Sequence, residues 1–444
     1  MDLLITQNDI ERARETIKTF VHRTPLLTNH SLDQAASDAF ENALRRHRES
    51  EPKGSTSSQQ FSILHNVDVR FHLAFKAEHL QKGGAFKARG ASNAVLTHLE
   101  RERKRKGKDF DSKQVWFVTH SSGNHAGALA RAAQAAGASA AVVMPLSTPA
   151  PKQAAVRGYG ARAIMCESTL AAREDTARKV MHELEEEVGS AGNVIFVHPY
   201  DDPLVIAGQG TLGEIVEQGR VLARSGWGAQ GGTGHGKCSA ASESTAALSS
   251  DSPSDDADEP PFDLVLSPCG GGGQLSGLST AVKAADARIE VFGAEPEAAD
   301  DAARSFSTGT LQPAITPPRS IADGLLTALS PRTYAHIKAH VSGILTTSEA
   351  SILRALQLTW ERTKQLVEPS ACVGLGCVLQ AKNEWLEVVL AVVNRKLQST
   401  AALRRGHGST TVDVRVVIIW TGGNADVPKV IEALQALPSP SEQA

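Results

Sequence analysis

Phe262-Asp263-Leu264-Val265-Leu266-Ser267-Pro268-Cys269-Gly270-Gly271-Gly272-Gly273 sets an apolar, strand-like run against four consecutive glycines, and a helical pattern follows from Gln274. Glycines between a strand and a helix leave backbone N–H groups open at the helix mouth, where an anion such as phosphate binds. Glycine runs also make flexible linkers, but a linker does not stand between two regular elements. Upstream, Gly84-Ala85-Phe86-Lys87-Ala88-Arg89-Gly90 holds a lysine among small and apolar neighbours. Desolvation loosens a lysine's proton, and the neutral amine condenses with an aldehyde to a Schiff base. Taken alone, Lys87 would read as an ordinary exposed lysine at a helix start.

A reactive amine and a phosphate cradle in one chain describe the requirements of one cofactor, pyridoxal 5'-phosphate. The bulk properties agree with a small-molecule partner such as an amino acid. The 444 residues carry 46 Lys and Arg against 49 Asp and Glu, a formal net charge of -3. So even a mixture gives neither nucleic acid nor an anionic membrane an electrostatic handle. The basic run Arg101 to Lys108 follows a helical pattern and reads as a solvated helix end. Five cysteines lie scattered without CxxC spacing, as in a reducing compartment. No apolar run is long enough to cross a bilayer, and the acidic N-terminal stretch is unlike a signal core, so a cytoplasmic location is expected.

From Gln114 onward short apolar runs alternate with helical stretches. The runs are Val115 to Val118, Ala140 to Met144, Ala163 to Met165, Val194 to Val197, Leu264 to Ser267, Ile289 to Ala294 and Val414 to Trp420. This alternation predicts an α/β fold with mostly parallel sheets covered by helices. Active sites in such sheets lie at the carboxyl ends of strands, where both the glycine run and Ser121-Ser122-Gly123-Asn124 fall. Residues of about 39–67, 226–261 and 392–411 read as insertions into this plan, the second of low complexity and expected to be disordered.

Thr119-His120-Ser121-Ser122-Gly123-Asn124-His125-Ala126 joins a strand to a helix through small hydrogen-bonding residues, which in isolation is a helix cap. Around it stand FKAEHLQKGGAFKARGA, AGQGT, SPCGGGG, AEPEAADD, SIADG, VEPSACVG and WTGGNAD. With these motifs the chain resembles the fold-type II pyridoxal-phosphate enzymes of the tryptophan synthase beta-like superfamily, in the branch of serine racemases and serine/threonine dehydratases. The resemblance implies two lobes, each with a mostly parallel twisted sheet. Residues 1–106 with 194–444 would form the larger, cofactor-binding lobe and 107–193 a small mobile one, and the molecule would be a homodimer.

The same resemblance assigns roles. Lys87 would bond the cofactor and then, once freed, take the substrate's Cα proton. Phe86 would pack on the pyridine ring, Asn124 would bind its 3'-oxygen, and Gly270, Gly271, Gly272 and Gly273 would hold the phosphate. Thr421 would face the pyridine nitrogen, where a hydroxyl leaves the ring neutral and suits it to β-elimination and proton exchange. Ser121, Ser122, Asn124 and His125 would surround the substrate carboxylate. Ser122 also matches the serine that works as acid and base on the opposite face in racemases. Arg173 and Thr327 fall near the substrate side chain, and an arginine there would pair with a second carboxylate such as that of 3-hydroxyaspartate.

Glu295, the carbonyl of Ala299 and Asp301 match a divalent-cation site suited to Mg, Ca or Mn. Without the resemblance the same acidic turn reads as a helix start. Gln274 stands where an apolar residue is usual, a change expected to leave the phosphate cradle unaffected. The expected activity is a dehydratase, or ammonia-lyase, acting on L-serine, L-threonine or threo-3-hydroxyaspartate and releasing keto acid and ammonia, with room for serine racemisation. A chiefly racemising enzyme and a non-catalytic carrier of pyridoxal phosphate are the alternatives.

Overall fold

The structure is a computed structural model that describes residues 3–50, 61, 63–64, 67–189, 194–228, 259–317, 319–401 and 410–438. Its strands, in chain order, are β1 (Leu26–Thr28), β2 (Val67–Ala77), β3 (Trp116–His120), β4 (Ser139–Pro145), β5 (Arg162–Cys166), β6 (Val194–Phe196), β7 (Leu264–Pro268), β8 (Glu290–Pro296), β9 (Gly343–Thr347) and β10 (Thr410–Trp420). They form a six-stranded sheet ordered β1-β2-β10-β7-β8-β9 and a four-stranded sheet ordered β5-β4-β3-β6. Among the strand pairs of the described residues, β1–β2 alone is antiparallel. Parallel strands covered on both faces need apolar side chains on both, hence the unbroken buried run Val416 to Trp420.

Three sequence expectations change here. The lobe boundary after residue 193 moves, because Val194 to Phe196 pairs with Trp116 to Val118 and so completes the smaller sheet. The polar stretch from residue 39 begins as a continuation of the helix His30–Ser50, whose Phe40, Ala43, Leu44 and His47 are buried at helical spacing. Likewise, residues 392–401 continue the helix Asn383–Ala401 and bury Val392 and Val393, and the last strand starts at Thr410 instead of Val414. Charge-rich composition hid one apolar stripe in the first of these stretches, where every third or fourth residue carries the packing. The remainder of the three proposed insertions, 51–60, 62, 65–66, 229–258 and 402–409, lies outside the described residues, and with it the expectation of disorder.

The helix Lys87–Lys106 is held at its first turn by a buried charge cluster. Arg89 is 2 % exposed and donates to both oxygens of Glu78 at 2.8 and 2.9 Å and to Glu214 at 2.7 Å. Lys76 of β2 donates to the same Glu214 oxygen at 2.6 Å, to the Thr24 carbonyl at 2.6 Å and to Gln218 at 2.9 Å. Burial works against charge on both carboxylates, yet Arg89 and Lys76 hold Glu78 and Glu214 below the usual range. The same helix lies against the helix Pro203–Gly210 with almost no gap. A Cβ on Gly208 would meet the Gly90 Cα at 2.6 Å.

Removing one member of a buried ion cluster strands the others in a medium that cannot solvate them. Arg89→Met is therefore expected to lower the unfolding free energy by about 3–5 kcal/mol, read from a urea titration. A loss below about 1 kcal/mol would mean that water reaches the cluster.

Candidate active site

The carboxyl ends of β3, β7 and β10 converge on a cavity of about 140 Å³. Beyond β10, Phe86 N–H donates to the Thr421 carbonyl at 3.0 Å, and Ala85 bridges Gly422. This pairing sets Lys87, the first residue of its helix, at the cavity wall. Lys87 Nζ borders the open space, so the side chain is only half-buried, but protein encloses it elsewhere and no carboxylate among the described residues pairs with it. Desolvation accordingly brings its pKa down from 10.5 to about 8. Its Nζ donates to the Pro199 carbonyl at 2.8 Å and lies 5.1 Å from the centre of the Phe86 ring.

Opposite Lys87, the glycine run closes tightly against its surroundings. Gly272 caps the helix Gly273–Ala285 with a φ of +82°, and a Cβ there would meet Leu329 at 2.6 Å. A Cβ on Gly271 would fall 2.5 Å from the Tyr200 ring. Backbone without side chains is thus a steric necessity, and it leaves the helix mouth facing the cavity.

Hydrogen bonds fix how Asn124 is turned. The Asn424 amide donates to the Gly83 carbonyl at 2.9 Å, so the same Nδ2 must also donate to Asn124 Oδ1 at 2.9 Å. Asn124 Nδ2 then donates to the Glu368 carboxyl at 2.9 and 3.1 Å. Burial, reinforced by Asp323, lifts Glu368 from 4.5 to about 7. Nearby, Thr421 Oγ1 is buried without a partner among the described residues, as are both ring nitrogens of His125. Burial keeps His125 neutral, and it lowers His198 to about 4 with help from His120 and Lys87. His198 Nδ1 accepts the Asp201 N–H at 2.9 Å, which places the proton of the neutral ring on Nε2.

The cavity wall gathers Phe86, Lys87, Ser121, Ser122, Asn124, His125, Gly270 to Gly273, Arg173, Thr327 and Thr421, every residue expected near cofactor or substrate. Arg173 reaches it from the helix Leu170–Val188 and makes no ion pair with a carboxylate among the described residues; its Nε touches only the Thr169 carbonyl at 3.4 Å. His120, Pro199, Tyr200, Asp323 and Glu368 also line it. Sequence reading had assigned these five no role. SIADG and VEPSACVG contain Asp323 and Glu368, and Pro199 and Tyr200 follow an apolar run as the glycines do, so strand-end position was the available signal.

These residues fit pyridoxal phosphate: a desolvated lysine, a glycine cradle that no side chain could enter, and a buried hydroxyl with an unused lone pair. The expected metal ligands lie elsewhere, beside Cys269 and outside the cavity wall. Glu295 accepts N–H groups from Ala302 at 3.2 Å and Ala303 at 2.8 Å, while Asp301 Oδ2 is buried without a partner among the described residues. Burial, with each carboxylate's acidic neighbours, raises Glu295 well above the usual range and Asp301 to about 6. Two carboxylates forced toward neutrality fit an oxygen-ligated cation, although no set of three or more His, Cys, Asp or Glu converges among the described residues.

The model of the family described as "Pyridoxal-phosphate dependent enzyme" matches residues 56–394. Human serine racemase is 34% identical over 372 residues, 84% of each chain. The beta-hydroxyaspartate dehydratase of Paracoccus denitrificans is 33% identical over 426 residues, 96% of this chain and 98% of its own. The crystal structure of serine racemase from Dictyostelium discoideum superposes with a TM-score of 0.64 at 29% identity, covering 95% of this chain and 99% of that one. A desolvated lysine facing a glycine cradle, and relatives that match along nearly the whole length, show that the chain belongs to the pyridoxal-phosphate dependent enzymes, in the branch of serine racemases and hydroxy-amino-acid dehydratases.

Proposed function

We propose that this enzyme is an ammonia-lyase that removes the β-hydroxyl of 3-hydroxyaspartate and releases keto acid and ammonia, with smaller hydroxy amino acids as lesser substrates. The observation that carries the substrate choice is Arg173, a cation at the cavity wall without a carboxylate of its own among the described residues. An amino acid with a second carboxylate would complete it. The dehydratase relative, which acts by name on beta-hydroxyaspartate, supports the choice by matching nearly the entire chain.

Bound pyridoxal phosphate supplies an electron sink for the charge left at Cα. The chain's own residues do the rest. Lys87 Nζ, with its pKa near 8, exchanges a proton readily around neutral pH and serves as the base at Cα. Asn124, held by Asn424 and Glu368, presents a fixed amide to the cofactor's 3'-oxygen. The first turn of the helix Asn124–Ala135 has N–H groups without intrahelical partners, and these receive the substrate's α-carboxylate. Ser122 Oγ gives the site a proton carrier apart from Lys87, so serine racemisation is a second activity, expected to be lost in Ser122→Ala while elimination persists. Glu295, the Ala299 carbonyl and Asp301 hold a divalent cation in this reading. A cytoplasmic homodimer belongs to the same proposal, in keeping with the four cysteines among the described residues, which are buried and free. Among the described residues no helix is long and apolar enough to cross a membrane.

Arg173→Leu is expected to cut kcat/KM for L-threo-3-hydroxyaspartate by about 100-fold, the worth of a charge-assisted pair, while L-serine changes by no more than a few-fold. Keto-acid release reads both, and equal losses would overturn the substrate choice. Magnesium or calcium is expected to raise the melting temperature of the wild type and not of Glu295→Gln; an equal gain in both would remove Glu295 from the metal site. Glu368→Gln keeps an acceptor for Asn124 but cannot ionise. Between 4.5 and about 7 the unfolded chain gives up the Glu368 proton while the folded chain keeps it, so this group's contribution to stability falls as pH rises through that window. From about pH 4 to about pH 8 the variant is expected to gain on the wild type by on the order of 2–3 kcal/mol in urea unfolding of the cofactor-free proteins. A difference independent of pH would give Glu368 an ordinary carboxyl.

A further inference from the structure

Gln274 is the second residue of the helix Gly273–Ala285 and is only 6 % exposed. It lines the cavity next to the four glycines. Side chains on a helix lean toward its N-terminus, so an amide at this position leans toward the helix mouth. Its Nε2 is buried and has no hydrogen-bond partner among the described residues. Burying an amide donor unpaired is unfavourable, and an apolar side chain of similar size would fill the place at no such cost. The surroundings explain nothing else: Leu329, Thr333 and Ile337 crowd Gly272, and Tyr200 covers Gly271 and Gly273. What the helix mouth attracts is an anion, and an anion offers the acceptor that the amide lacks.

We propose that Gln274 donates a side-chain hydrogen bond to the phosphate of bound pyridoxal 5'-phosphate, adding a side-chain donor to a cradle otherwise built from backbone. The inference rests on the cofactor assignment, and it revises the sequence expectation that a glutamine here leaves the cradle unaffected. It makes Gln274 a cofactor-binding residue that acts on affinity, whereas the chemistry at Cα is left to Lys87.

The test uses full-length protein stripped of cofactor, then titrated with pyridoxal 5'-phosphate and, separately, with pyridoxal, which has the same aldehyde and ring but no phosphate. Visible absorbance of the protein-bound cofactor gives each Kd. Gln274→Leu is expected to weaken pyridoxal 5'-phosphate about tenfold, the worth of a hydrogen bond to a charged group, and to leave pyridoxal unchanged. The cofactor-free variant is expected to melt no lower than the wild type, because an unpaired amide has been removed. Gln274→Met repeats the comparison should the leucine variant fold poorly. Equal weakening of both compounds, or of neither, overturns the proposal. So does an unchanged cofactor Kd with a raised KM, which would assign the amide to the substrate. Absence of the visible band in wild type would instead sink the cofactor reading itself, a result separable from any effect of Gln274.

Discussion

Arg89 lies two residues beyond Lys87, with Glu78 and Glu214 as its carboxylate partners and Lys76 as a second cation on Glu214. Four charges removed from water can persist only if each is paired, and this condition ties together the end of β2, the first turn of the lysine helix and the segment after the helix Pro203–Gly210. A shift in any of these elements would leave a charge unmatched. The helix turn that carries Lys87 is therefore anchored by charges that lie outside the cavity wall. The Gly90–Gly208 contact adds a steric limit to the same end, since neither helix can carry a side chain where they meet.

Within the cavity burial decides which titratable groups keep their charge. Burial takes His125 and His198 to neutral, brings Lys87 near its titration point and holds Glu368 partly protonated. Arg173 adds a planar guanidinium to the same wall. Under the proposed function, a dianionic amino acid would meet helix-mouth N–H groups and the Arg173 guanidinium within one cavity.

Much of this was legible in one dimension. The alternation of apolar runs and helical stretches carries the parallel sheets, because both faces of such strands are buried and their composition shows it. Lys87 and the tetraglycine were legible for a different reason: a glycine run between strand and helix, and a lysine among small residues, are local departures from average composition. Stretches 39–50 and 392–401 misread as insertions because an amphipathic helix shows its core face only every third or fourth residue. Pro199 and Tyr200 offered only their place after an apolar run, and Asp323 and Glu368 only their place within SIADG and VEPSACVG, which does not say what each side chain faces once the chain has folded.

The sequence by itself determined the fold class and singled out Lys87 and the glycine run, since each depends on patterns contained in a few neighbouring positions, while the other residues expected at the cavity came from the family resemblance and left part of its wall unnamed. Only the tertiary structure decided which strand belongs to which sheet, which carboxylates lose their charge, how Asn124 is turned, and that Gln274 holds an unpaired donor beside the cradle. The division has a physical cause. Desolvation and hydrogen-bond satisfaction are properties of what surrounds an atom, and residues more than 200 positions apart, such as Asn124 and Glu368, become surroundings for one another only after the chain has folded.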